Sequence, residues 1–191
     1  MLLSLQGAER NRVVPHATLE AWLRGSGLDW TFVRPSFFLQ NLTFTHVGDI
    51  RDRGELVVPA GRGATAFVDA DGVAAVVVAA LLEPRAHRHR AWTPTGPEAL
   101  TYAQVASILS RVLGRRIAYS SPSAVRYAAH ARRTLGMPAG MVAVTTAIYT
   151  VARLGRAGGL TDDVRTVTGR DARSLEDFAR RHAAEWQRVG A

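Results

Sequence analysis

The sequence has no cysteine and no lysine. Without cysteine it has neither a disulfide framework nor a thiolate-held metal. With lysine absent, all 24 basic residues are arginine, a bias that fits the codon usage of a GC-rich genome. Long apolar runs are also missing. Roughly Met137 to Ala152, within the longest uncharged stretch, carries Pro138 and Gly140 near its start and falls short of the ~20 apolar residues a membrane span needs. It is expected to be a buried helix. No basic segment followed by an apolar one opens the chain, so a cytoplasmic protein is expected.

What is present is 191 residues, 47% of them hydrophobic, with a formal net charge of +8. That is enough for one domain with a core, or one domain and a small appendage. The positive charge suggests a polyanion partner, but the arginines stand in ones and twos (Arg115-Arg116, Arg132-Arg133, Arg180-Arg181) between acidic residues. Aromatics that stack bases are not interleaved with them. Neither nucleic acid nor membrane is expected as a partner. Asp69 and Asp71 beside a helix start read as caps, with Asp71 the expected N-cap, and no metal is expected. "HRHR", His87 to Arg90, reads as a solvated turn.

Hydrophobic patterning predicts an α/β fold. "MLLSLQG" is a short buried strand. Pro15 to Arg24 carries Leu19, Trp22 and Leu23 on one helical face and stops at Gly25-Ser26-Gly27. "LDWTFVRP" is a second buried strand, ended by Pro35. Strand, helix and strand within about 35 residues make a βαβ unit of a parallel sheet. Further on, the pattern predicts a short strand at 55–59, a buried helix over 72–82, a strand at 90–94 and a helix over 101–113 capped by Thr101 and stopped by Gly114. A short strand at 116–120 and helices over 123–135, 139–154 and 174–188 complete it. Two or three parallel strands are poorly covered alone, so the front of the chain reads as incomplete. Leu2, Leu3, Leu5 and Phe32 are expected to face missing partners, which points to self-association or a protein partner.

Several blocks resemble the NmrA-like branch of the atypical short-chain dehydrogenase/reductases: "LLSLQGAERN", "PHATLEAWLRGSGLDWTFVRPSFFLQNL", "AFVDADGVAAVVVAALLEP", "TPTGPEALTYAQVASILSRVLGRRIAY" and "LTDDVRTVTGRDARSLEDFARRHAAEW". The resemblance implies a Rossmann-type sheet that binds NAD or NADP. On that frame, residues 1–38 and 71–94 form the C-terminal part of the dinucleotide-binding domain. Residues 39–70 and 95–191 form a mostly helical substrate-binding subdomain.

The family's Gly-rich turn, which lets a pyrophosphate approach the backbone, is encoded nowhere in these residues. "GRG", Gly61 to Gly63, is no G-x-G-x-x-G and joins no strand to a helix. The sequence is therefore expected to be the C-terminal half of such a protein. Either a valine codon read as a start was assigned at Met1, or this is a true half-protein that needs a partner. Cofactor binding by this chain alone is expected to be weak.

The resemblance also implies a site. The usual Tyr and Lys pair is absent, and the matching position carries His16-x-x-x-Glu20, similar to the quinone-reductase and azoreductase-like members. Spacing of i, i+4 puts His16 and Glu20 on one helix face. There His16 either relays a proton, oriented by Glu20, or is a surface histidine in an ion pair. Ser4, Leu5 and Gln6 end the first strand and lie by resemblance along the nicotinamide ribose. Pro35, Ser36 and Phe37 follow the next strand and are expected, by the same resemblance, to contact the cofactor. Phe37 and Phe38 either close over the nicotinamide and substrate, Phe38 lining the substrate pocket with Asn41, or are ordinary core.

Three functions remain open at this point. One is an NAD(P)H-dependent oxidoreductase acting on a small quinone, azo or carbonyl compound. The others are a non-catalytic redox sensor working through a protein partner, and an inactive fragment.

Overall fold

The structure, a computed structural model, describes residues 1–11 and 14–187. In chain order its elements are β1 (Leu2–Leu3), α1 (Pro15–Gly25), β2 (Thr31–Val33), β3 (Phe37–Phe38), β4 (Glu55–Val57), β5 (Ala64–Val68), α2 (Ala70–Leu82), β6 (Arg90–Trp92), β7 (Ala99–Thr101), α3 (Tyr102–Leu113), β8 (Ala118–Ser120), α4 (Ala124–Arg133), α5 (Ala139–Arg153), α6 (Asp163–Thr168) and α7 (Leu175–Arg181). Short 3-10 turns lie at Leu39–Leu42 and Ala183–Trp186, and one π-helical turn at Asp49–Arg53. None of the helices is long and apolar enough to cross a membrane, among the described residues.

Two compact units divide the chain. The first comprises residues 1–38, 67–97 and 160–173. Its centre is a parallel sheet in the order β1-β2-β6, with Leu2 opposite Phe32 and Phe32 opposite Ala91. Such a sheet forms here because "TFV" of β2 is buried on both faces, as parallel strands require. Below it α2 packs an apolar cluster of Val33, Val68, Val73, Val76 and Val164, with Val164 supplied by α6. The segment carrying α6, residues 160–173, belongs to this unit. Gly96 is needed where it stands, since a Cβ there would lie 2.4 Å from the Phe67 carbonyl oxygen.

Two expectations for this unit are corrected. The N-cap of α2 is Asp69, not Asp71: Asp69 is extended and its carboxylate accepts from the Asp71 N–H. Asp71 already lies inside the first turn. Phe32 faces no missing partner and is fully buried. Trp30 stacks on it at 4.4 Å between ring centroids, and the Arg24 guanidinium lies 4.8 Å from its ring. Leu3, by contrast, is 54% exposed, and on α1 Trp22 and Leu19 are exposed with it. Phe37 and Phe38 do more than follow the end of β2. They are strand β3, paired parallel to Phe67 and Val68.

The second unit comprises 39–66, 98–159 and 174–191. Strand β4 pairs parallel with β8, and Ala64–Ala66 of β5 pairs antiparallel with β7. Helix α3 begins with a full capping box, in which Thr101 and Gln104 satisfy each other's backbone N–H groups. Its core holds Leu56, Val105, Leu109, Tyr102, Tyr127, Tyr149, Phe178 and Trp186. The Trp186 indole donates to the Leu42 carbonyl at 3.0 Å. Buried His46 meets the Tyr149 hydroxyl at 2.7 Å, and His130 meets the buried Asp49 at 2.7 Å. The last helix is shorter than the pattern suggests, because α7 ends at Arg181. Its expected end, Arg188, lies outside the described residues.

Candidate functional site

Parallel pairing in the first unit runs past the strands by single backbone bonds, and this brings the expected residues together. The Ser4 N–H donates to Val33 O at 2.7 Å and the Gln6 N–H to Pro35 O at 3.0 Å. On the other side of β2, the Arg34 N–H donates to Trp92 O at 2.7 Å and the Ser36 N–H to Pro94 O at 3.1 Å. Ser4, Leu5 and Gln6 thus line up beside Arg34, Pro35 and Ser36 at the carboxyl ends of the strands, where open α/β sheets bind ligands. Helix α1 has Pro15 in its first turn and reaches this edge through Glu20.

The site is organised around Glu20, which is 1% exposed. Ser4 Oγ donates to its Oε1 at 2.6 Å. Arg34 grips it with two prongs, Nε to Oε1 at 2.9 Å and Nη2 to Oε2 at 2.6 Å. Arg24, one turn along α1, donates to Oε2 at 3.0 Å. Burial by itself raises the carboxyl's pKa. The hydrogen bonds from Arg34 and Ser4, with the charges of Arg34 and Arg24, outweigh it and hold Glu20 below its ordinary value. The same pair raises Arg34, chiefly through the hydrogen bond to Glu20. Arg34 also lies 3.4 Å from the half-exposed Glu9 carboxylate.

This geometry changes the reading of His16-x-x-x-Glu20. Both residues are on one face of α1, but Glu20 is held by Ser4, Arg34 and Arg24, so it does not orient the imidazole. His16 is half-buried, and its Nδ1 is buried without a partner among the described residues. Ser36 is in the same condition: it is buried and its Oγ has no partner among the described residues. Buried polar atoms without a partner among the described residues call for an explanation, because buried polar groups are ordinarily satisfied.

Other expected residues take different places. Phe37 is half-buried and meets Phe67 edge-on at 5.7 Å. Phe38, its strand neighbour, is half-buried and packs against the aliphatic cluster of this unit. Asn41 stands in the second unit, in the Leu39–Leu42 turn, where its carbonyl accepts from the His46 N–H. Asp69 and Asp71 are both held by the Arg173 guanidinium. Among the described residues no group of three or more His, Asp or Glu is arranged to hold a metal.

Arg34 is the site residue that sequence reading passed over. An arginine between a buried β-run and a proline looks like a strand end. Its one visible signal is its place, a charged residue immediately after "TFV" at the carboxyl end of a parallel strand.

Comparison with known proteins agrees with this architecture. Residues 15–178 match the model of the NmrA-like family. The NAD(P)H azoreductase of Xenophilus azovorans is 40% identical over 159 residues, 83% of this chain and 54% of that protein. An NADPH-dependent quinone oxidoreductase from Escherichia coli superposes with a TM-score of 0.86 at 21% identity, over 95% of this chain and 66% of that one. NmrA, described as a negative transcriptional regulator in complex with NADP, superposes with a TM-score of 0.65 at 22% identity, over 87% and 56%. The chain spans about half the length of the curated relatives it matches. With the family model covering most of its residues, the chain belongs to the NmrA-like family.

Proposed function

We propose that this chain forms the nicotinamide end and the substrate subdomain of an NAD(P)H-dependent oxidoreductase that reduces a small quinone, azo or carbonyl compound. The observation that carries the reading is a pair of buried atoms without a partner among the described residues, Ser36 Oγ at the carboxyl edge of the parallel sheet and His16 Nδ1 on α1. That edge suits a nicotinamide nucleoside, which offers a carboxamide and ribose hydroxyls as partners. When bound, reduced nicotinamide supplies a hydride. The chain's residues do the rest. The backbone of Ser4 to Gln6 runs along one side of the site and Ser36 Oγ is free to hold a polar group of the ligand. His16 delivers the proton that must accompany the hydride. Phe37 covers the edge and excludes water.

Glu20 and Arg34 have a positioning role here. Their two-pronged contact, with Ser4 attached, fixes the ends of β1 and β2 against α1. The names of the azoreductase and the quinone oxidoreductase support the acceptor class.

A second reading, a redox sensor without chemistry, is favoured by the absence of lysine and hence of a Tyr and Lys pair, and by the likeness to NmrA. Fusing the Gly-rich βαβ half of the azoreductase ahead of Met1 separates the two. The proposal expects acceptor-dependent NADPH oxidation that falls in His16→Ala. A folded fusion that binds NADPH and oxidises none with quinone or azo acceptors favours the sensor.

A further inference from the structure

Within the second unit a cleft of about 390 Å³ is lined by Gly61, Arg62, Thr101, Ala103, Tyr119 and Ser121. Its size falls in the range of small-molecule sites. We propose that it is a second binding site, separate from the nicotinamide edge, for a small planar organic anion.

The walls are fixed before any ligand arrives. The Tyr119 hydroxyl donates to Gly61 O at 3.0 Å and Val58 O at 3.2 Å. The Gly61 N–H donates to Ser121 Oγ at 3.0 Å. Gly61 itself has φ +60°, a left-handed conformation that suits glycine, and the Thr101 hydroxyl is engaged in the capping box. Burial raises the Tyr119 phenol above its ordinary value, partly offset by its hydrogen bond with Ser121, so the ring is a neutral wall. An aromatic ligand matches the ring of Tyr119, the backbone at Gly61 and the methyl group of Ala103.

Charge selects the ligand's other end. None of the six lining residues is acidic. Arg62 is exposed and has no carboxylate partner among the described residues. A second guanidinium, Arg153, stands close by. A Cβ on Gly61 would lie 3.3 Å from its Cγ, and its charge acts on Tyr119. Two guanidiniums, neither with a carboxylate partner among the described residues, beside a flat apolar wall favour a carboxylate or sulfonate on an aromatic body.

Calorimetric titration of the full chain with 2-naphthoate, and with neutral 2-naphthamide as the shape-matched control, tests the site. The proposal expects naphthoate to bind about tenfold more tightly than the amide, the value of one charge-assisted contact. Arg62→Gln should remove that difference and leave amide binding unchanged. Ala103→Trp, an exposed helix position that keeps the fold, should weaken both ligands by about tenfold or more as it fills the cleft. Equal affinities for the two ligands overturn the proposal, as does indifference of naphthoate binding to Arg62→Gln or Ala103→Trp. Failure to bind either probe at about 10 mM, beyond the millimolar affinity of the weakest specific sites, also overturns it. None of these results bears on the nicotinamide edge.

Discussion

Replacing Glu20 with glutamine removes one negative charge from the centre of the site and keeps the side chain's size. The Arg34 side chain is 9% exposed and faces two carboxylates, Glu20 and Glu9, of which Glu9 is 36% exposed and 3.4 Å away. Taking one partner from a buried pair costs about 3–5 kcal/mol, because the other charge stays behind. Glu9 remains to offset part of this, so the expected cost is about 3 kcal/mol. For a chain of this length that lowers Tm by about 6–12 °C. Arg24→Gln removes the partly exposed partner, 41% exposed, and should cost less than about 1 kcal/mol. Glu20→Gln combined with Arg34→Met should recover much of the loss, since no charge is then stranded. Urea unfolding followed by circular dichroism measures all four proteins. A Glu20→Gln chain within about 0.5 kcal/mol of the parent, the level of ordinary surface changes, refutes the reasoning. Arg24→Gln costing as much as Glu20→Gln refutes it too.

Acid should weaken the fold in two windows. Burial, with the nearby His130 charge, pushes buried His46 down to about 4, so the unfolded chain binds the extra proton between pH 6.5 and about 4. The His46 contribution is full above pH 6.5 and falls by about 1.4 kcal/mol per pH unit below it. His46→Leu should flatten that slope in urea midpoints taken from pH 7.5 to 5. Glu20, whose folded pKa is lowered, gives stability present above its ordinary value of 4.5 and lost as pH falls further, and Glu20→Gln should lack that second decline. His16→Ala in the azoreductase fusion should lower turnover about ten- to a thousand-fold with little change in Tm, and a melting temperature that falls with activity would place His16 in the packing instead. Gly63→Ala should cost at least about 2 kcal/mol, because a Cβ there would lie 1.7 Å from the Ala152 carbonyl oxygen, and a chain of unchanged stability would show the approach to be looser. Exposed Leu3 and Trp22 should make the chain self-associate, and sedimentation of Leu3→Glu, Trp22→Gln should return it to a monomer.

The βαβ unit was legible because its signals are local: a buried apolar run, a helix stopped by glycine, and a run closed by proline. The Thr101 cap was readable for the same reason, since a cap is set by residues three apart. Strands β3, β5 and β7 were not read. Each is two to five residues long and owes its existence to a neighbour far along the chain, as Ala64 owes its pairing to Thr101. The partners of Glu20 were hidden likewise. Helical spacing points to His16, four residues away, whereas Ser4 and Arg34 lie sixteen and fourteen residues off and meet it only through the sheet. Asp69 and Asp71 cannot be ranked as caps from sequence, because the cap is the one whose backbone is extended, and that is Asp69.

If the proposed function holds, the carboxyl edge at Ser4 to Gln6 and Ser36 receives a nicotinamide nucleotide. Titrating the 15N-labelled chain with reduced nicotinamide mononucleotide, and following amide shifts, tests it without the absent Gly-rich turn. The account predicts millimolar binding with shifts concentrated at Leu5, Gln6, Ser36 and Phe37, lost in Ser36→Val, and NADPH no more than about tenfold tighter because the pyrophosphate cradle is not encoded here. Shifts scattered away from this edge, or micromolar NADPH affinity, would contradict it.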